Sequence, residues 1–292
     1  MSLVNTLIIG AGRSGTTSLY AYLENHPEVN FSITKELHYF SIQDLYHRGE
    51  SYFHSLFNER NKKVVATADT YLLIDTEAPA RVKAYNEKMK IIIMLREPVA
   101  RAYSNFNYSV NFGHEKAGIS FLDTIQLEPE RLMSNNIVDK NNRCHFYGSL
   151  YYKHISFWNQ YFPLEHIFIF KLTDLKNNPE QFYRNLCNRL EINYKPFEHQ
   201  GKEFNAATGA KSKWLQQLLL NRDNPVRKII SFLLRPFRKL VIQSGMIDKV
   251  YALNKKNVTI QPLTDDEKQI AKAYFKEDVE LLTKTYGISL DN

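Results

Sequence analysis

The segment Leu7-Ile8-Ile9-Gly10-Ala11-Gly12-Arg13-Ser14-Gly15-Thr16-Thr17-Ser18-Leu19 narrows the fold more than any other stretch of this chain. An apolar, β-branched run feeds a glycine-rich turn, and hydroxyl-bearing residues follow at once in a helix-compatible pattern. Strand, tight turn and helix in so few residues are the opening of a βαβ unit. Glycines let backbone N–H groups come close to an anion, and the first turn of the helix adds unpaired N–H groups and its dipole. A phosphate-like group is therefore expected here.

The same alternation continues. Strands are expected at Leu3–Ile9, Val29–Ile33, Lys63–Thr67, Lys90–Leu95 and His166–Phe170. Amphipathic helices are expected near 16–25, 76–87, 98–112, 149–162 and 180–190. This pattern implies an α/β fold with a central, mainly parallel sheet and helices on both faces. His199 to Lys213 is polar, carries Gly201 and Gly209, and reads as a loop. Thr264 and Glu267 form a capping-box pattern for a last helix ending near Tyr286, with Gly287 as its stop. The expected layout is a single domain over 1–292, with a core of about 1–200 and a helical, basic C-terminal extension of about 212–292.

The glycines at 10, 12 and 15 match the dinucleotide fingerprint, with Glu36 near the spacing of a ribose-binding acid. Gly10 and Gly15 also fit the ends of a P-loop, but Thr16 stands where its lysine would be, which argues against an ordinary ATPase or kinase. A second segment, Lys90 to Leu95 followed by Arg96-Glu97-Pro98, is a buried strand that delivers an arginine to the sheet's carboxyl rim. Pro98 suits a helix start, and Ser104 lies about two turns on. Arg96 and Ser104 together suit a second phosphate. Two anion sites at two strand ends suit a ligand with two separated anionic groups.

Taken together, these residues resemble a family. Gly12 to Thr17 is similar to the 5′-phosphosulfate loop of sulfotransferases that use 3′-phosphoadenosine 5′-phosphosulfate (PAPS). Arg96 to Ser104 is similar to their 3′-phosphate motif. Lys35-Glu36-Leu37-His38-Tyr39-Phe40 resembles the Glu-x-His-Phe-Phe segment of the heparan-sulfate branch, and the C-terminal third looks more like bacterial members. The resemblance implies a P-loop-like sulfotransferase fold and PAPS as sulfuryl donor, with 3′,5′-ADP as product and no metal. It implies Arg13, in place of the usual lysine, on the leaving phosphate and the sulfuryl oxygens. It implies the amides of Ser14, Gly15 and Thr16 with the hydroxyls of Thr16, Thr17 and Ser18 on the 5′-phosphate. Arg96 and Ser104 fall on the 3′-phosphate, and Lys211 and Lys213 in a closing loop. Glu36 takes the place of the catalytic base, with His38 as its rival.

The chain departs from the heparan-sulfate branch at Ala66 to Leu72, which lacks that branch's Lys and Pro and carries Asp69 instead. Acceptor recognition is expected to differ accordingly. The acceptor is expected to offer a hydroxyl or amine on a carbohydrate, lipid-linked or small-molecule substrate. His114 and Glu115 are candidates to face it. The reading from the bare glycine pattern, an NAD(P)-dependent oxidoreductase, stays open, as does a non-catalytic glycan- or lipid-binding protein on a degenerate nucleotide fold.

Lys plus Arg is 38 against 31 for Asp plus Glu, a net charge of +7, which favours an anionic partner without choosing one. Two cysteines, Cys144 and Cys187, exclude a disulfide scaffold. No signal-peptide pattern or membrane-length apolar run is present, so a cytoplasmic protein is expected. No nucleic-acid partner is expected. The basic, amphipathic stretch 225–242 suits contact with a glycan or a membrane surface.

Overall fold

The computed structural model describes residues 2–116, 118–196, 208–212, 226, 229 and 253–290. Five strands, β1 (Thr6–Gly10), β2 (Val29–Phe31), β3 (Val64–Ala68), β4 (Lys90–Leu95) and β5 (Ile167–Lys171), form one sheet in the order β2-β3-β1-β4-β5. Every pairing is parallel; Ile8 of β1 stands opposite Ala68 on one side and Ile92 on the other. All five expected strands are present, with ends shifted by up to three residues.

Alternate residues of the central strands serve opposite faces, as the two-residue period requires. Leu7, Ile9, Ile91 and Ile93 pack with Val82 of α4 (Ala78–Tyr85), with Ile155 and Trp158 of α8 (Tyr151–Asn159) and with Leu282. Ile8, Ile92 and Met94 pack with Leu19 and Leu23 of α1 (Thr16–Glu24) and with Phe182 and Leu186 of α10 (Pro179–Leu190). Helices on both faces explain why these strands read as unbroken apolar runs. Between them in the chain lie the short α2 (Gln43–Tyr46) and α3 (Gly49–His54), then the long α5 (Pro98–Phe112), α6 (Asp123–Leu132), α7 (Ile137–Arg143) and α9 (Leu172–Asn177).

The last helix, α11, runs Asp265–Tyr286 with both capping-box bonds between Thr264 and Glu267 in place. Gly287 ends it at φ 68°, a left-handed conformation that glycine takes without a steric cost. Its Asp278 reaches α8, accepting from the N–H groups of Tyr152 and Lys153 and so capping that helix from outside.

One expectation needs correcting. The polar stretch 199–213 contains a strand, β6 (Thr208–Ala210), paired antiparallel with β7 (Lys255–Asn257), and this ribbon packs against α5. Strands of three residues each are too short to show an apolar alternation. Lys213 and nearly all of 225–242 lie outside the described residues. No helix among the described residues is long and apolar enough to cross a membrane.

The strand order reverses direction at β1 and β4: the chain runs from β1 out to β2 and β3 on one side, then crosses to β4 on the other. In doubly wound sheets ligands bind outside the carboxyl ends at such a point. The turn after β1 and Arg96 after β4 both open there.

Candidate active site

The turn between β1 and α1 is held from several sides. Ala11 N–H donates to the Met94 carbonyl of β4 (2.8 Å), and Ser14 N–H closes the turn on the Ala11 carbonyl (3.2 Å). Arg13 sits at φ 72° and Gly15 at φ 90°. A Cβ on Gly15 would stand 2.8 Å from Leu172 Cδ1, so the turn has no room for a side chain there. Among the described residues, nothing accepts from the backbone N–H groups of Gly15, Thr16 or Thr17. The amide of Ser14, expected to face the ligand, is spent inside the turn, and its side chain is fully buried. Thr17 is exposed, Ser18 is half-buried and Thr16 is buried.

Three guanidinium groups gather beside this turn. Arg13 Nε donates to Ser104 Oγ of α5 (3.3 Å), and Arg96 Nη1 donates to the Arg13 carbonyl (3.4 Å). Arg101, 2% exposed, donates from Nε to the Gly12 carbonyl (3.0 Å) and from Nη1 to the His145 carbonyl (3.1 Å) and Ser149 Oγ (3.3 Å). Burial lowers the pKa of all three. Arg96 adds to that lowering at Arg13, and Tyr108 opposes it. Among the described residues no carboxylate forms an ion pair with any of the three. Glu97, the nearest acid in sequence, caps α5 by accepting from Val99 N–H (3.0 Å) and Ala100 N–H (2.6 Å). Partly desolvated cations with no ion-paired carboxylate among the described residues, next to helix-terminal amides that no described residue accepts from, suit a polyanion.

A cleft of about 1650 Å³ opens alongside, and Glu36, His38, Tyr71 and Tyr108 line it. Tyr108 joins cleft to turn: the Arg13 guanidinium carbon lies 5.0 Å from its ring centroid, and its hydroxyl interacts electrostatically with both Arg13 and Glu36. Glu36 and His38 both adopt left-handed backbone, at φ 60° and 57°. Such non-glycine conformations cost on the order of 1 kcal/mol or more each and gather at functional sites. Glu36 is held by its N–H on the Ala68 carbonyl (2.8 Å) and by a carboxylate that accepts from Lys35 Nζ (2.7 Å), Thr70 N–H (2.8 Å) and Thr70 Oγ1 (3.2 Å). His38 places Nδ1 3.0 Å from Asp69 Oδ1 and stacks on Tyr71 at 4.3 Å.

The expected residues thus divide. Arg13, Arg96, Ser104 and the Gly15–Ser18 segment meet at one rim, while Glu36 and His38 meet in the adjoining cleft. Lys211 is exposed at the end of the ribbon on α5, its N–H on the Asn254 carbonyl (2.6 Å). His114 lines the cleft, but Glu115 turns inward to Arg131 (2.5 and 3.0 Å) and His145 (3.1 Å) and does not face an acceptor. Arg101 and Tyr108 were not singled out by the motifs, yet they lie one turn either side of Ser104 on the same face of α5. That spacing was the available signal.

Comparison with known proteins agrees with this geometry. A model of the sulfotransferase domain matches residues 4–207, and the chain belongs to that family. It is 23% identical over 271 residues to the membrane-associated sulfotransferase kil1 of Dictyostelium discoideum, covering 66% of this chain and 57% of that one. It is 29% identical over 163 residues to mouse heparan sulfate glucosamine 3-O-sulfotransferase 3B1, covering 56% and 39%. The chain therefore spans little more than half, or less, of the length of these relatives. Among solved structures, a sulfotransferase from Alicyclobacillus acidocaldarius shares the fold over 99% of this chain and 98% of its own, with a TM-score of 0.67 at 21% identity.

Proposed function

We propose that this chain is a PAPS-dependent sulfotransferase acting on a hydroxyl or amine, with its acceptor in the cleft that Glu36 and His38 line. The observation that carries this reading is the cluster of three arginines, Arg101 buried and Arg13 and Arg96 half-buried, without ion-paired carboxylates among the described residues, beside the amides of Gly15, Thr16 and Thr17 that no described residue accepts from. Residues fit the donor at both ends. The amides of Gly15 to Thr17, the hydroxyls of Thr16, Thr17 and Ser18, and Arg13 would hold the 5′-phosphosulfate. Arg96 and Ser104 would hold the 3′-phosphate, and Lys211 would approach from the ribbon.

Sulfuryl transfer needs little covalent help from the protein. As the acceptor attacks sulfur, negative charge builds on the oxygen that leaves with the phosphate. Arg13 would stabilise it from a half-buried position, where a charge interaction is stronger than in open water. The proton lost by the acceptor goes to the Glu36–His38 pair. A positioned base contributes about 10²–10⁴-fold. Glu36 is the base that the resemblance implies; its carboxylate is already engaged by Lys35 and Thr70. The acceptor is proposed to be a carbohydrate, lipid-linked or small-molecule substrate, differing from heparan sulfate at the Asp69 segment, and the site of action cytoplasmic.

Thermal unfolding tests the donor. At equal concentration, 3′,5′-ADP should raise the melting temperature more than ATP or NAD does, because only it carries phosphates at both 3′ and 5′ positions. A larger shift with NAD would favour a dinucleotide oxidoreductase. Labelled PAPS offered with neutral, amino and acidic oligosaccharides, lipid-linked sugars and small alcohols then finds the acceptor.

A further inference from the structure

Asp69 follows directly on β3, in the segment where the chain departs from the heparan-sulfate pattern, and it is 3% exposed. It faces three donors. His38 Nδ1 lies 3.0 Å from Oδ1, Tyr71 N–H donates to Oδ1 (3.1 Å), and Ser41 Oγ donates to Oδ2 (2.9 Å). Burial works to raise the carboxyl's pKa, but His38, Ser41 and the Tyr71 amide outweigh it and hold it below the ordinary carboxylate value. The Tyr71 amide and the Ser41 hydroxyl, one donor on each oxygen, suit an ionised carboxylate, which only accepts hydrogen bonds. The proton between it and His38 must therefore sit on Nδ1. Stacking on Tyr71 fixes the plane of the ring. The opposite edge of the ring carries Nε2, and His38 lines the cleft.

We propose that Asp69 is a positioning residue that locks His38 as the Nδ1–H tautomer, and that His38 Nε2, rather than Glu36, takes the acceptor's proton. This rests on the sulfotransferase reading above. In the step, the acceptor O–H or N–H proton passes to Nε2 as the O–S or N–S bond forms. The bond between sulfur and the bridging phosphate oxygen breaks, and its electron pair leaves on 3′,5′-ADP. Neutral imidazole becomes imidazolium beside Asp69, which stabilises that charge without taking the proton. Glu36 suits the role less well: its two oxygens already accept from Lys35 and from the amide and hydroxyl of Thr70. The donor atoms of Glu36, His38 and Asp69 lie within 4.8 Å of one another, so Glu36 adds a second negative charge near the imidazolium. Among the described residues, the titratable groups facing His38 include Asp69 and Tyr71 from the segment after β3, Glu36 with its Lys35 partner from its own loop, and, through Glu36 and Tyr71, Tyr108 of α5.

The test uses the full chain with ¹⁵N-labelled histidine, the His38 signals being assigned by their loss in His38→Gln. Long-range ¹H–¹⁵N correlation should show Nδ1 protonated and Nε2 bare at high pH. In Asp69→Asn the His38 pKa should fall by about one unit or more, as loss of an adjacent opposite charge requires. An Nε2–H tautomer in the wild type, which is decisive even if Asp69→Asn fails to fold, would overturn the proposal. So would an unmoved His38 titration in a folded Asp69→Asn protein. With PAPS and an acceptor found by the screen, Asp69→Asn should lower kcat at least tenfold, leave the KM for PAPS unchanged, and move the acidic limb of the kcat/KM profile downward in step with the His38 pKa. A limb that stays in place, or Glu36→Gln losing turnover while His38→Gln keeps it, returns the base to Glu36. Absence of any PAPS turnover counts against the sulfotransferase reading, while the tautomer experiment still decides the dyad.

Discussion

Arg13→Ala should cut sulfuryl turnover by on the order of 10²–10³-fold while leaving the fold intact, the size of loss seen when one group that stabilises developing charge is removed. The expectation follows from where the side chain stands. Arg13 leans on Tyr108 at 5.0 Å and on Ser104 at 3.3 Å, so its guanidinium lies between the anion turn and the acceptor cleft. It touches no buried carbonyl whose loss would unsettle the core. Removing it should therefore lower kcat far more than it weakens 3′,5′-ADP, whose phosphates keep the Gly15–Thr17 amides and Arg96. Arg13→Lys should recover part of the rate, since it restores the charge but not the planar fork. Steady-state kinetics with both variants checks this. Equal losses in nucleotide affinity and in kcat would mean that Arg13 grips the ground state and has no special hold on the transition state.

Arg101→Met should act in the opposite sense, through structure first. Its guanidinium bridges the anion turn, at the Gly12 carbonyl, to the segment before α8, at the His145 carbonyl and Ser149 Oγ. A Cβ on Gly148 would come within 2.7 Å of Nη1, so the group is packed tightly against backbone. Methionine fills much of the volume but leaves buried acceptors unpaired, at a cost of about 1–3 kcal/mol. Urea unfolding should show a loss of that size, and calorimetry should show weaker 3′,5′-ADP binding, because the turn loses the bond that holds Gly12. Unchanged stability together with unchanged affinity would mean that the bridge carries no strain between the two segments.

The fold was largely legible because strands covered on both faces advertise themselves as unbroken apolar runs, and because the ends of α11 are marked by Thr264, Glu267 and Gly287. The anion turn was legible for a related reason: close approach of backbone to a phosphate leaves few residues but glycine. What could not be read comes from pairing across the chain. Ser14 offered an amide by position, but only the folded turn shows that amide closing on Ala11. Glu115 followed His114 into the expected acceptor region, yet Arg131 and His145, 16 and 30 residues on, draw it inward. Asp69 was visible as a departure, but its meaning depends on meeting His38 across 31 residues. The ribbon of β6 and β7 joins segments some 45 residues apart, in strands only three residues long, too short to announce themselves by alternation.

A crystal structure with 3′,5′-ADP bound addresses the central claim most directly. The account predicts one nucleotide spanning the β1 and β4 strand ends. Its 5′-phosphate should rest on the amides of Gly15, Thr16 and Thr17, its 3′-phosphate should lie within hydrogen-bond reach of Arg96 and Ser104, and Arg13 should face the cleft. A nucleotide bound elsewhere, or one that engages the turn while Arg96 and Ser104 stay out of reach of its 3′-phosphate, would contradict it.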